Sequence, residues 1–137
     1  MGHGRNRHLC TRRETVEITR DLIRIDTSNW GPAHETVSDA EAADYCAERL
    51  REVGWDPDGI ATTSDRQRGV FVRIPGIDLT ASALLIYGHH NVLPAMAEDW
   101  IHPPFAAEVD DGSIWGRGAV DKKDMDAMIM TVVRQSC

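Results

Sequence analysis

The sequence predicts an α/β domain in which helices pack on a mixed sheet. Three observations support this fold class. Two segments before residue 55 show the spacing of amphipathic helices, and the uninterrupted apolar run 83–87 is typical of a strand covered on both faces. A third helical pattern follows Asp121. This order of helices and strands along the chain is typical of a layered α/β domain.

The composition is that of a globular protein of about one domain. The chain has 137 residues, of which 42% are hydrophobic and 27% are charged. Its net charge of −7 argues against general binding to nucleic acids or anionic membranes, which requires a basic face. No apolar run approaches the roughly 18 to 20 residues that span a bilayer. The three cysteines are scattered and lack CxxC spacing, which favours a reducing compartment and predicts the cytoplasm.

The first thirteen residues are basic. They contain four arginines and two histidines, and no apolar segment follows, so they do not form a secretory signal. We therefore predict a disordered basic arm at 1–13 and a domain at 14–137. Nucleic-acid binding through this arm is the weaker interpretation, because the arm is short and the rest of the chain is acidic.

The first helix is predicted from a start signal, an apolar stripe and a stop signal. Thr11 and Glu14 have the spacing of a capping box. Apolar residues then recur with helical spacing, and the helix should end near 26–29, where turn-forming residues are clustered.

The second helix carries the clearest signals. Ser38 and Glu41 repeat the capping-box spacing, and Gly54 stands where a glycine commonly ends a helix. Cys46 lies on the apolar stripe between them. It is interpreted as a core residue, because no nearby feature would lower the pKa of its thiol.

The second half of the chain contains the predicted strands and the last helix. Segments with strand composition are 60–63, 69–74, 83–87, 105–109 and 113–115. The sequence Asp-Asp-Gly at 110–112 predicts a hairpin between the last two strands. After it, five apolar residues with helical spacing predict the last helix: Met125, Met128, Ile129, Val132 and Val133.

A candidate metal site follows the apolar run. His89 comes just after Gly88, and in open α/β sheets ligands bind beyond the carboxyl ends of the strands. Neutral imidazole is a common zinc ligand, and Asn91 would point to the same side of an extended chain and orient the ring. Asp121 would add a carboxylate oxygen. The alternative is that the histidine and the aspartate are structural, which spacing alone does not exclude.

Two further histidines are interpreted as structural. In an extended segment, His90 faces away from His89, so a satisfied or solvent-facing histidine is favoured over a ligand. His102 follows Trp100 in a loop, and we expect it to be structural or to lie near the rim of the site.

Two motifs resemble a known family. Residues 88–94 read GHHNVLP and are similar to the Gly-His-x-Asp-Val-Val-Pro signature of the aminoacylase, acetylornithine deacetylase, succinyl-diaminopimelate desuccinylase and glutamate carboxypeptidase family of two-zinc metallopeptidases. Residues 115–121, WGRGAVD, follow in the family's order. The resemblance covers residues 14–134. It implies the N-terminal part of a zinc-peptidase catalytic domain, without the family's dimerisation domain.

The resemblance implies roles for the matching residues. His89 matches the ligand of the first zinc ion, and Asp121 matches the aspartate that bridges the two zinc ions of the family. Asn91 takes the place of the family's aspartate, which orients the ligand histidine, and brings no negative charge there. Arg117 matches a backbone turn and is interpreted as structural. The implied activity is hydrolysis of peptides or N-acyl amino acids.

The chain also departs from the family pattern. It contains no adjacent pair of glutamates, and no histidine follows Asp121, whereas the family uses such residues as its general base and remaining ligands. Two ligands do not complete a zinc site. We therefore interpret the chain as truncated and expect it to be inactive in isolation. The alternative is a non-enzymatic α/β module that binds metal weakly or self-associates through exposed sheet edges.

Overall fold

A computed structural model describes residues 3–31, 38–61 and 67–136. The helices are α1 (His3–Arg24), α2 (Ala40–Arg51) and α3 (Lys123–Arg134), with a short 3-10 helix at Ala97–Asp99. The strands are β1 (Asp58–Ala61), β2 (Arg68–Phe71), β3 (Glu108–Asp110) and β4 (Ser113–Trp115). The predicted α/β class is confirmed. In these ranges, no helix combines the length and the apolar character that crossing a membrane requires.

The hydrophobic core lies between the three helices. Its buried members are Ile18, Leu22, Ala42, Cys46, Leu50, Ala127 and Met130. Ile18 and Leu22 of α1 are fully buried, and full burial of a leucine or isoleucine side chain stabilises the folded state by about 1.5–3 kcal/mol. The prediction that Cys46 is a core residue is confirmed, and its thiol forms no disulfide.

Helix α1 begins earlier than the sequence predicts. Its backbone is helical from His3, so the helix start predicted at Thr11 is wrong. Arginine is a good helix former and no proline interrupts this stretch, which explains the extension. The Thr11 hydroxyl instead exchanges hydrogen bonds of 3.0 and 2.7 Å with the side-chain amide of Gln135. The predicted end is confirmed, because α1 stops at Arg24.

The end of α2 confirms the predicted glycine signal. Gly54 has φ of +91°, a conformation that glycine adopts without steric cost. Its N–H donates to the carbonyl of Arg51 at 3.0 Å, and the N–H of Trp55 donates to the carbonyl of Leu50 at 3.2 Å. These two bonds form a Schellman motif, which satisfies carbonyls that the helix end leaves open.

The start of α2 differs by one residue from the prediction. Asp39 is the N-cap residue rather than Ser38, and its side chain makes no capping hydrogen bond. The Ser38 hydroxyl accepts a hydrogen bond of 3.2 Å from the N–H of Ala40, the first residue of the helix. The serine therefore still satisfies one N–H group at this end, from a position outside the helix.

The described strands form two separate antiparallel hairpins rather than one mixed sheet. Strands β1 and β2 pair with Asp58 opposite Phe71. Between β3 and β4, Asp111 and Gly112 have φ of 45° and 74°, as in a two-residue type I′ turn. The predicted hairpin is thus confirmed. Part of the predicted strand 60–63 lies outside the described residues.

The apolar segment 83–87 differs most from its prediction. It is neither strand nor helix, and Leu84 and Leu85 are 84% and 72% exposed. A strand exists only when a neighbour accepts and donates its backbone hydrogen bonds, and no other described segment pairs with this one. The prediction of a buried strand is wrong for this structure. The predicted mixed sheet included this strand, and the described residues accordingly form no mixed sheet.

Candidate metal centre

Segment 88–92 is held by the residues that follow α1. The N–H of Val92 donates to the carbonyl of Thr27 at 3.1 Å, and the N–H of Asn29 donates to the carbonyl of Val92 at 2.8 Å. The Thr27 hydroxyl donates to the carbonyl of His90. Ser28 and Val92 consequently form an isolated parallel bridge. The loop that carries the predicted ligand histidine is therefore fixed to the buried end of α1.

The structure brings His89 and Asp121 together, as the sequence predicts. Their nearest atoms, Nε2 of His89 and Oδ1 of Asp121, are 3.6 Å apart. The side chains are 39% and 82% exposed, so the pair lies at the surface. The contact joins residues 32 positions apart, and it does so because one follows the extended segment and the other precedes α3.

Asn91 orients His89 through its main chain. The carbonyl oxygen of Asn91 lies 3.0 Å from Nδ1 of His89, at the distance of a hydrogen bond. Because a carbonyl can only accept, a neutral imidazole must carry its proton on Nδ1, which leaves the Nε2 lone pair directed toward Asp121. The expectation assigned this orienting role to the Asn91 side chain, whereas the atom in contact belongs to the backbone. The substitution of the family's aspartate therefore leaves one orienting contact in place.

The geometry fits one half of a metal site. Two atoms that bind the same zinc ion at about 2.0–2.2 Å can lie up to about 4.4 Å apart, so Nε2 of His89 and Oδ1 of Asp121 could bind one ion. Within the ranges that the structure describes, no group of three or more histidine, cysteine or acidic side chains could hold a metal. Structural and catalytic zinc sites use three or four protein ligands. His89 and Asp121 alone therefore do not make up such a site among the described residues.

An open pocket of about 710 Å³ adjoins this pair. Its lining includes Asn29, His89, Asn91, Arg117 and Asp121. Both candidate ligands therefore line the same open pocket.

Two glycines allow the turn before Asp121 to approach the core. A Cβ atom on Gly116 would clash with the side chain of Ile23 on α1. Gly118 has φ of +82°, and a Cβ atom there would lie 2.6 Å from Cγ1 of Val92. The glycines therefore let the chain that leads to Asp121 pass close to the loop that carries His89.

Arg117 is placed by contacts within the protein. Its N–H donates to the carbonyl of Pro104 at 2.7 Å, and its guanidinium carbon lies 4.9 Å from the centre of the Trp100 ring. A cation over an aromatic face at this distance is stabilised electrostatically. These contacts are those expected of the structural role that the sequence suggests.

Lys123, the first residue of α3, connects this helix to the end of α1. It is fully buried, and its ammonium group donates a hydrogen bond of 2.8 Å to the carbonyl of Ile25. Burial lowers the pKa of Lys123 to about 8, against the opposing effect of Asp26 and Asp126. The lysine thus ties the end of α1 to the start of α3, two residues after Asp121.

His90 turns away from His89, as the extended-chain argument predicts, and it is largely buried. Its side chain is 16% exposed, and Nδ1 lies 3.4 Å from Oδ2 of Asp126 on α3. Neither atom makes a hydrogen bond within the described part of the chain, and their contact is an ion pair when His90 is protonated. Burial lowers the pKa of His90, but Asp126 and Cys46 raise it by more, to about 10. The sequence analysis missed Asp126, whose only signal is an acid between apolar residues on the core face of α3.

His102 belongs to the hairpin rather than to the candidate ligands. Its Nδ1 lies 2.7 Å from Oε2 of Glu108, and its Nε2 lies 3.7 Å from Oδ2 of Asp110. The imidazole also lies against Trp115, with the ring centres 4.6 Å apart. These contacts fasten the loop after the 3-10 helix to β3 and β4, which is a structural role.

Residues 85–137 match the sequence profile of Peptidase family M20/M25/M40. The chain is 36% identical to a succinyl-diaminopimelate desuccinylase of Hahella chejuensis over 122 residues, or 85% of this chain. It is 30% identical to aminoacylase-1 of Sus scrofa over 88% of this chain, and 45% identical to a probable carboxypeptidase S-like 2 of Dictyostelium discoideum over 35% of it. The chain spans 28% of the length of the first two relatives and 9% of the third.

Proposed function

The chain belongs to Peptidase family M20/M25/M40, and from this membership we propose that it supplies part of the active site of a zinc-dependent hydrolase of peptide or N-acyl amide bonds. The observation that carries the proposal is the approach of Nε2 of His89 to Oδ1 of Asp121 at 3.6 Å. The names of the relatives, a desuccinylase, an aminoacylase and a carboxypeptidase-like protein, favour an acylated amino acid or a peptide as substrate.

Each residue of the pair has a defined task in this proposal. His89 offers the Nε2 lone pair, and the Asn91 carbonyl holds the proton on Nδ1 so that this lone pair stays free. Asp121 offers carboxylate oxygens, which can bind one metal ion or bridge two. When bound, zinc polarises the scissile carbonyl and lowers the pKa of a bound water. The open pocket beside the pair admits the substrate.

We propose that this chain alone does not complete the reaction. The 137 residues contain no adjacent glutamate pair to provide the general base that the family resemblance implies. The described residues also lack a third ligand near His89 and Asp121. Two protein ligands would hold a zinc ion only weakly. Without a glutamate in place, the chain also has no positioned general base.

Zinc titration of the 137-residue chain by isothermal calorimetry tests the metal site. We expect measurable binding that weakens at least tenfold in His89→Gln and in Asp121→Asn, because each substitution removes a ligand atom. His102→Gln and Asp124→Asn are matched controls outside the pair and should bind zinc as the unmodified chain does. Equal affinity in all five proteins would contradict the metal site. Zinc-dependent hydrolysis of an N-acyl amino acid by the isolated chain would contradict the proposed inactivity.

A second candidate function is favoured by the exposure of segment 83–87. Leu84, Leu85 and Tyr87 present a continuous apolar surface, and such surfaces commonly mark contacts between proteins. In this alternative the chain is a non-enzymatic α/β module that self-associates through the segment. Sedimentation velocity over a range of concentrations tests it. Association that Leu85→Glu abolishes would support the alternative, and a monomer at all concentrations would contradict it.

A reducing compartment is the proposed location, and the cytoplasm is the simplest one. The cysteines are scattered, and Cys46 is a buried free thiol. Labelling of the natural protein with a thiol reagent after denaturation tests this: complete labelling without prior reduction is expected, and labelling that requires a reductant would contradict it.

A further inference from the structure

A buried ion pair lies beneath the candidate metal centre. His90 and Asp126 meet on the side of segment 88–92 opposite His89, with Nδ1 and Oδ2 3.4 Å apart. The Asp126 side chain is 6% exposed. Neither of the two facing atoms has a hydrogen-bond partner among the described residues. Cys46 also interacts with His90, and the Lys123 ammonium group also interacts with Asp126.

The Asp126 carboxylate also contacts the backbone of the same segment. A Cβ atom on Gly88 would clash with Oδ1 of Asp126, so the carboxylate occupies the space that a side chain at residue 88 would need. Asp126 therefore touches the residue before His89 with one oxygen and faces the residue after it with the other. A helix side chain in this place limits how the backbone between them can rotate.

The opposite end of the segment is fixed by other bonds. The Thr27 hydroxyl donates to the carbonyl of His90, and the carbonyl of Thr27 accepts the N–H of Val92. The loop is thus held from α1 through its main chain and from α3 through Asp126. His89, between these attachments, has Nδ1 of its ring at hydrogen-bond distance from the carbonyl of Asn91.

We propose that Asp126 is a positioning residue that, through His90 and Gly88, holds segment 88–92 so that His89 keeps its bond to the Asn91 carbonyl and directs Nε2 toward Asp121. This inference deepens the proposed metal site, on which its functional meaning rests. The positioning of His89 by Asp126 involves only residues of this chain and can be measured without metal.

A purely structural role is the competing explanation. A buried ion pair seldom stabilises a fold more than well-packed apolar residues of similar volume, and replacing such a pair by apolar residues is often neutral or stabilising. The double variant His90→Leu, Asp126→Leu should therefore keep the fold while it removes the electrostatic contact. If the double variant folds but the His89 ring loses its orientation, the His90–Asp126 contact positions His89 and is not needed for the fold.

The tautomer of His89, measured by long-range proton–nitrogen NMR of the 137-residue chain at about pH 8 without metal, tests the proposal. In the unmodified chain, Nδ1 should show the shift of a protonated ring nitrogen and Nε2 that of an unprotonated one. In Asp126→Asn and in the double variant, the two nitrogen shifts should move toward each other, as in a mixture of tautomers. Asp124→Asn, an acid-to-amide change in the same helix, is the matched control and should leave both shifts unchanged.

Each outcome decides the question. Unchanged His89 shifts in a folded double variant would overturn the proposal, and so would a mixture of tautomers already present in the unmodified chain. A double variant that fails to fold would also overturn it, because the pair would then serve the fold rather than the loop. Zinc affinity is measured in parallel. If the tautomer responds as expected but the unmodified chain binds no zinc, the metal site fails while the positioning role stands.

Discussion

The three-helix core and the segment 77–87 contain similar apolar side chains but bury them to very different extents. Leu22 of α1 is fully buried, whereas Leu85 in the segment is 72% exposed. Both residues lie in apolar runs that predict burial. An apolar pattern therefore predicts which surface of a segment can be buried. Actual burial also requires a second helix or strand that packs against that surface. The helices cover one another, and no described element covers the segment.

Polar contacts show the same contrast. In the core, Nε of Arg134 lies 2.6 Å from Oε1 of Glu14, which joins residues 120 positions apart. The indole N–H of Trp55 donates to the carbonyl of Val133 at 3.1 Å. In the exposed segment, the side chain of Asp78 accepts hydrogen bonds from Thr80, only two residues along. In these examples, the long-range contacts involve partly buried side chains, and the local contacts of Asp78 involve an exposed one.

The same substitution in the two regions should have the largest difference in effect. We expect Leu22→Ala to lower the free energy of unfolding by about 2–5 kcal/mol, because it removes buried methyl groups and leaves a cavity. Leu85→Ala should change it by less than about 0.5 kcal/mol, as at other exposed positions. Urea unfolding of both variants, followed by circular dichroism, measures the two values. A loss above about 1 kcal/mol for Leu85→Ala, twice the value expected at an exposed position, would mean that another surface covers the segment in solution.

Sequence reasoning succeeded where the signal was local. The helix end at Gly54 and the turn at 110–112 depend on backbone conformations that few residues adopt. The local sequence alone therefore predicts both. The joint placement of His89 and Asp121 at one site was expected from the resemblance of their two motifs to the family. The spacing did not reveal that the main chain of Asn91, rather than its side chain, holds the imidazole.

Sequence reasoning failed where the outcome depends on distant partners. Segment 83–87 has the composition of a buried strand, but a strand forms only beside another strand, and no local pattern supplies that partner. The pairing of His90 with Asp126 joins residues 36 positions apart on a loop and a helix. A single acid on the core face of α3 signals that some partner exists without showing which one.

A second matched pair of substitutions tests the polar side of the comparison. The Arg134 side chain is 10% exposed and contacts both Glu14 and Glu52, at 2.6 and 3.1 Å. Arg134→Gln should lower the free energy of unfolding by about 1–2 kcal/mol, because it breaks a charge-assisted hydrogen bond to Glu14 and an ion pair with Glu52 in a partly buried place. Arg13, in an exposed pair with Glu17 on α1, is the control, and Arg13→Gln should cost less than about 0.5 kcal/mol. Equal effects in urea unfolding would show that burial does not strengthen these contacts.

The smallest expected effect concerns the pH dependence of the two regions. Burial, together with a hydrogen bond of 2.9 Å to Asp21, raises the pKa of Tyr45 well above its ordinary value. Because the folded state holds this proton more tightly than the unfolded state, the contribution to stability is complete below about pH 10 and falls as the pH rises further. Tyr45→Phe should therefore cost about 0.5–1.5 kcal/mol at pH 7.

Between about pH 10 and 11 the stability cost of Tyr45→Phe should decrease, by no more than about 1.4 kcal/mol per pH unit. In this range the phenol of the unmodified chain ionises in the unfolded state but not in the folded state, which destabilises the unmodified chain and not the variant. The exposed segment provides the control, since hydrogen bonds from Thr80 lower the pKa of Asp78 without burying it. Thr80→Ala should return the pKa of Asp78 toward its usual value and leave the alkaline stability unchanged. Urea unfolding at neutral and alkaline pH measures all three proteins. A cost of Tyr45→Phe that is the same at both pH values would show that the core does not retain the Tyr45 proton, and the contrast with the exposed segment would then rest on apolar burial alone.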